Sequence, residues 1–124
     1  MAVKFEIRGV QETINFLHQK SKDIVSAQEK AMNQVALFME GEVKESIAGR
    51  KAEPRSVDTG RFLNSVKGTS ELETAVIQSE LEYSEFLEYG TSKISPRSHF
   101  RNSLDRNHVK IREFLDKEIK IAVK

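Results

Sequence analysis

Three histidines, His18, His99 and His108, have the widest chemical repertoire near neutral pH of any side chains in this sequence. A zinc-binding helix would set two of them four residues apart, and no pair has that spacing. The chain has no cysteine to complete a metal site, act as a nucleophile or form a disulfide. The plain reading is three surface or partly packed histidines. Serine–histidine–acid catalysis needs three side chains gathered in space. Ser, His and Asp occur in several places, but no Gly-x-Ser-x-Gly turn presents a nucleophile. No two glycines lie close enough to cradle a phosphate. Glu71, Glu73, Glu80, Glu82, Glu85 and Glu88 could do acid/base work, yet nothing in their spacing marks a buried pair. They read as a solvated acidic rim. The sequence does not read as an enzyme, and it calls for no cofactor and no metal.

Positive charge collects in two loops. Arg50, Lys51 and Arg55 lie in the first, and Lys93, Arg97 and Arg101 surround the second. Such clusters suit phosphate contact or docking on an acidic partner, and they also serve plain solubility. The acidic stretch Glu80 to Glu88 lies just upstream of the second cluster. A protomer basic at one edge and acidic at another is suited to head-to-tail contact with its own copies. Tyr83, Phe86, Leu87 and Tyr89 read as core first and interface second.

The 124 residues are expected to form one domain, 1–124. With 20 Lys and Arg against 19 Asp and Glu, a whole-surface basic nucleic-acid binder is excluded, though a local patch is not. The chain is too apolar for disorder and too charged for a membrane protein. No run approaches the roughly 18 apolar residues of a membrane span. The opening Met1 to Glu6 lacks a secretion-signal pattern, so residence in a cytoplasm, or in something assembled there, is expected.

The elements that must position these residues follow from periodicity. Val3, Phe5 and Ile7 alternate with charged residues, predicting a half-buried strand over 3–8 that ends at Gly9. Val10, Ile14 and Leu17 predict a short helix over 10–22. Val25, Met32, Ala36, Met39, Val43 and Ile47 form one stripe of a long helix over 21–48. Gln28, Glu29, Lys30, Gln34, Glu40, Glu42, Lys44 and Glu45 lie on its wet side. Asp23 complements the dipole at its start, and Gly49 suits a left-handed close. Gly41 suggests a closely approaching partner in mid-helix. Residues 49–60 are the most loop-like stretch and are expected to be mobile. A hairpin is predicted from 66–70 and 74–79, then a short helical turn over 81–89 stopped by Gly90. One closing helix is predicted from 98 to 123, with Phe100, Leu104, Ile111, Leu115 and Ile119 as its core stripe. The sum is an α+β domain: a small antiparallel sheet, made of the N-terminal strand plus the hairpin, packed against two long helices. A sheet this small leaves edges, which are joints in an oligomer.

Two blocks carry a resemblance. Val57-Asp58-Thr59-Gly60-Arg61-Phe62-Leu63-Asn64-Ser65-Val66 resembles a D-T-G-x-L-x-x-S-hydrophobic segment. Tyr83-Ser84-Glu85-Phe86-Leu87-Glu88-Tyr89-Gly90-Thr91-Ser92, followed by Pro96-Arg97-Ser98-His99-Phe100-Arg101, resembles a Y-x-x-hydrophobic-hydrophobic-E-aromatic-G-T block with a turn into a closing helix. Both are similar to blocks of the small tail-completion, or head–tail joining, proteins of long-tailed bacteriophages and prophages. Ser98-His99-Phe100 stands where that family commonly has a proline–aromatic pair, and Phe62 stands near a usual leucine. In the sequence itself, Asp58 or Thr59 can cap a following turn, and Gly90 permits a conformation other residues resist. The resemblance implies a virion structural protein at the head–tail junction, made in the host cytoplasm. It would form a ring of identical subunits around the DNA channel, with transient DNA contact. The head connector or adaptor and the tail tube would be its partners. Interface contacts are expected at Arg50, Arg55, Asp58 and Arg61 in the first block, and at Glu85, Glu88, Lys93 and Arg97 in the second. The alternative is a small nucleic-acid-binding module with Arg50, Lys51, Arg55, Lys93 and Arg97 as phosphate contacts. A third reading, a hydrolase, predicts a deep pocket lined by convergent polar groups.

Overall fold

The longest stretch of helical spacing becomes the longest element. The computed structural model describes residues 3–7, 22–57 and 60–122, and within it α1 spans Lys22–Ile47. Met32, Ala36, Met39, Val43 and Ile47 are buried as their spacing predicts, and Ala31 and Val35 widen the stripe. The widening follows from what surrounds α1: strands lie against part of it and the C-terminal helices run along it. Gln28, placed on the wet side by its spacing, is buried for that reason, and its Nε2 has no partner among the described residues. Gly49 closes the helix with φ 84°, as a left-handed glycine should. The short helix predicted over 10–22 falls almost wholly outside the described residues.

The sheet has three antiparallel strands, β1 (Val3–Ile7), β2 (Lys67–Ser70) and β3 (Ala75–Ser79), in the order β1-β3-β2. The β2–β3 hairpin is closed by the Glu71 N–H donating to the Thr74 carbonyl at 2.8 Å. Central β3 alternates strictly, with Ala75, Ile77 and Ser79 buried. Among the described residues nothing lies within 4 Å of where a Gly41 Cβ would go, so none of them approaches α1 closely there. The close approach falls at Gly68 of β2 instead, where a Cβ would lie 2.5 Å from the Ala36 carbonyl oxygen. The Gly68 N–H also donates to Glu40 Oε1 of α1 at 2.7 Å.

Four further helices complete the described chain: α2 (Arg61–Ser65), α3 (Glu82–Tyr89), α4 (His99–Arg106) and α5 (His108–Ala122). The single closing helix predicted over 98–123 is therefore two, broken at Asn107. In a continuous helix the Asn107 N–H would use the Ser103 carbonyl. Its own side-chain amide takes that carbonyl at 2.9 Å and reaches Glu42 Oε1 of α1 at 2.9 Å. The backbone N–H turns instead to Leu104 O at 3.2 Å. This is the competition that disfavours Asn in helix interiors. The architecture is α+β, with α1 and the α4–α5 pair as its helical layer and Phe5 of β1 meeting Phe100 of α4 edge-on at 6.3 Å. No described helix is long and apolar enough to cross a membrane.

Candidate functional site

Under the loop that follows α1 lies a chain of polar groups. Ser46 is in the last turn of α1, Glu53 and Ser56 are in the loop, and His99 opens α4. The Ser46 hydroxyl donates to Glu53 Oε1 at 2.5 Å and lies 2.8 Å from His99 Nδ1. Ser56 Oγ lies 2.8 Å from His99 Nε2. Glu53 also accepts from Asn102 Nδ2 and, through both oxygens, from Arg106, each at 3.1 Å. Burial alone would push the Glu53 carboxyl up. Donation from Arg106, Ser46 and Asn102, with the Arg106 charge, outweighs it and brings the carboxyl from 4.5 down to about 2. An ionised Glu53 accepts only, and that fixes the other protons. Ser46 gives its proton to Glu53 and accepts from Nδ1–H of His99. Nε2 is then the acceptor and takes the Ser56 O–H.

His99 is fully buried, not a surface histidine. Burial, opposed by the Glu53 charge and assisted by the Arg97 charge, lowers its pKa from 6.5 to about 4. A serine hydroxyl on a neutral imidazole, backed at one remove by a carboxylate, has the connectivity of a nucleophile and base. The electrostatics are those of a clasp. A general base works best with a pKa near the working pH, and this imidazole has been moved away from it. The network ties the loop to α1 and α4, aided by the Ser56 N–H donating to Ile47 O at 2.7 Å. Lys51 adds ion pairs to Glu42 at 3.5 Å and Glu45 at 3.4 Å. Composition marks 49–60 as mobile, whereas the structure anchors residues 49–57 at each of these points.

Glu88, predicted as an interface contact on an acidic rim, is buried. Its Oε1 accepts from the Phe100 N–H and its Oε2 from the Arg101 N–H, both at 2.9 Å. These are orphan donors at the start of α4, so a carboxylate from α3 caps a helix that has no side-chain cap at its own Ser98. Burial raises the Glu88 carboxyl despite those two bonds, and the Glu53 charge adds to the rise.

Above the clasp opens a cleft of about 470 Å³ lined by Arg55, Ser56, Val57, Arg61, Tyr83, Leu87 and Arg97. The two sequence blocks thus meet, Val57 and Arg61 from the first facing Tyr83, Leu87 and Arg97 from the second. Arg97 is held by NH1 donating to the Arg55 carbonyl at 3.1 Å and to Ser56 Oγ at 3.3 Å. Tyr83 is set by edge-on contact with Phe62 at 5.6 Å, and Phe62 in turn meets His99 at 6.1 Å. Of the predicted contacts, Arg55, Arg61 and Arg97 converge here. Arg50 and Lys93 are exposed but do not line the cleft, Glu85 is half-buried on α3, and Asp58 lies outside the described residues. The aromatic cluster is split: Leu87 is half-buried, while Tyr83, Phe86 and Tyr89 are 39%, 54% and 67% exposed, more surface than core.

Ser46, Glu53, Ser56, His99 and Arg106 were not gathered by sequence reasoning. The available signal is slight: Glu53 lies among Arg50, Lys51 and Arg55 in the loop, and Arg106 is one of several charged residues on the predicted closing helix. Among the described residues no three His, Asp or Glu side chains are grouped as a metal site would require. No family model, no curated protein and no solved structure matches this chain.

Proposed function

We propose that this chain is a virion structural protein of the head–tail junction in a long-tailed bacteriophage or prophage. In this reading its copies form a ring around the DNA channel, between the head-side adaptor and the tail tube. The observation that carries the reading is that residues of both motif blocks meet at one cleft, Val57 and Arg61 from the first and Tyr83, Leu87 and Arg97 from the second. The exposed aromatic residues of α3 beside it support a role in contact with other chains. The hydrolase reading has less support, because His99, which pairs with both Ser46 and Ser56, is buried beneath the cleft and its imidazole is a weakened base. The nucleic-acid module also has less support, because Lys51 is engaged by Glu42 and Glu45 and Arg97 is bent onto the Arg55 carbonyl.

The test is co-purification with the tail-tube and head-side adaptor proteins of the same virus, followed by negative-stain imaging. Rings or capped tubes are expected. Fully joined, infectious particles from a virus lacking the gene would overturn the reading. So would tight DNA binding that collapses as salt is raised, which is the mark of the phosphate-binding alternative.

A further inference from the structure

The cleft and the outer face of α3 are complementary, and they lie on different flanks of the same helix. Tyr83 and Leu87, four residues apart, form the cleft side of α3. Glu82, Phe86 and Tyr89, spaced by four and three, share another side. Arg55 and Arg97 have no carboxylate partner among the described residues, and Glu82 has no cationic one. One flank therefore presents guanidinium groups around an apolar floor. The other presents a carboxylate beside two solvent-facing rings.

We propose that the cleft receives the Glu82, Phe86 and Tyr89 face of α3 from a second copy of this chain. The proposal rests on the ring reading and specifies its joint. A face that binds a different face of its twin makes a heterologous contact. Each copy then offers an unfilled cleft on one flank of α3 and an unfilled helix face on the adjoining flank, the two meeting at Arg61 and Tyr83, and the contact repeats until the ring closes. The α3 helices would form a continuous belt, each seated beside the next.

Charge reversal tests this through two single variants, Arg55→Glu and Glu82→Arg. Both side chains are exposed, so circular dichroism and thermal unfolding should match the wild type. Sedimentation velocity and negative-stain imaging at matched concentrations read the assembly. Each variant alone sets like charges across every joint and should associate at least about tenfold more weakly than wild type. An equimolar mixture should recover assembly, because in an alternating arrangement every joint pairs opposite charges. A contact within one chain would not respond to mixing. Recovery that stops at dimers would mean a two-fold contact and would overturn the proposal. Wild-type rings that both variants leave intact overturn the cleft assignment and leave the ring reading standing. A wild-type chain that stays monomeric at about millimolar concentration overturns the proposed joint, since even weak specific contacts populate there, and leaves the ring reading to the co-purification test.

Discussion

A histidine with both ring nitrogens hydrogen-bonded inside a protein has one favoured protonation state, and His99 is held in the neutral one. Its pKa of about 4 lies below the 6.5 of the ordinary side chain. Between those values the unfolded chain takes up a proton that the folded chain refuses. The contribution is therefore complete above about pH 6.5 and is lost as pH falls toward 4, by up to about 3 kcal/mol. Glu53, lowered to about 2, adds a loss that begins only below its ordinary 4.5. Glu88 runs the other way, since a raised carboxyl favours the fold as pH falls, and it makes the slope shallower. Urea unfolding at about pH 7, 6 and 5 should show stability falling with acid, and His99→Gln should flatten that slope whatever its effect on stability at neutrality. A slope unchanged by the substitution would remove His99 as its source. None of this was legible from residue type: three isolated histidines at uninformative spacings look alike, and only the fold brings Ser46, Ser56 and Glu53 to one of them.

At the scale of elements, periodicity was a good guide and chemistry at single joints was not. The α1 stripe and the N-terminal strand follow directly from spacing, because a 3.6- or 2-residue repeat decides which face is dry, and the hairpin follows from the β-branched content of 74–79 beyond a polar turn. The break at Asn107 depends on one side chain taking a carbonyl, and the apolar stripe runs through it without a signal. The glycines divide in the same way. Gly41 interrupts a strong helical pattern and invites a packing explanation, but none of the described residues approaches it closely. Gly68 sits in a short polar strand and attracts no notice, though the α1 backbone presses against it. Gly41→Ala should stabilise by about 1 kcal/mol, the helix-propensity difference. Gly68→Ala should destabilise by about 1–3 kcal/mol, because the backbone of α1 must shift to admit a methyl group. Thermal unfolding of the two variants reads the contrast, and equal effects would refute the packing argument.

For the whole molecule, the formal charge of +1 conceals segregation. Arg55 and Arg61 are exposed at the cleft and Glu82 is exposed on the adjoining flank of α3, so charges that cancel in the sum stay distinct in place. Association of copies through such surfaces should weaken steeply between about 0.05 and 0.5 M salt as screening shortens. The melting temperature of the single chain should move little over that range, because its core is apolar and its Glu53–Arg106 pair is sheltered. Sedimentation and calorimetry on the same samples separate the two effects. The cleft itself was half legible: the sequence picks out Arg55, Arg61 and Arg97, but it cannot say that Arg50 and Lys93 stay outside or that Glu88 turns inward to cap α4. The contact between Gly68 and Glu40 bears on growth of the sheet. The amide that a fourth strand would need at the middle of β2 already has an acceptor from α1. Extension of the sheet by a neighbouring chain is opposed at that point of the β2 edge.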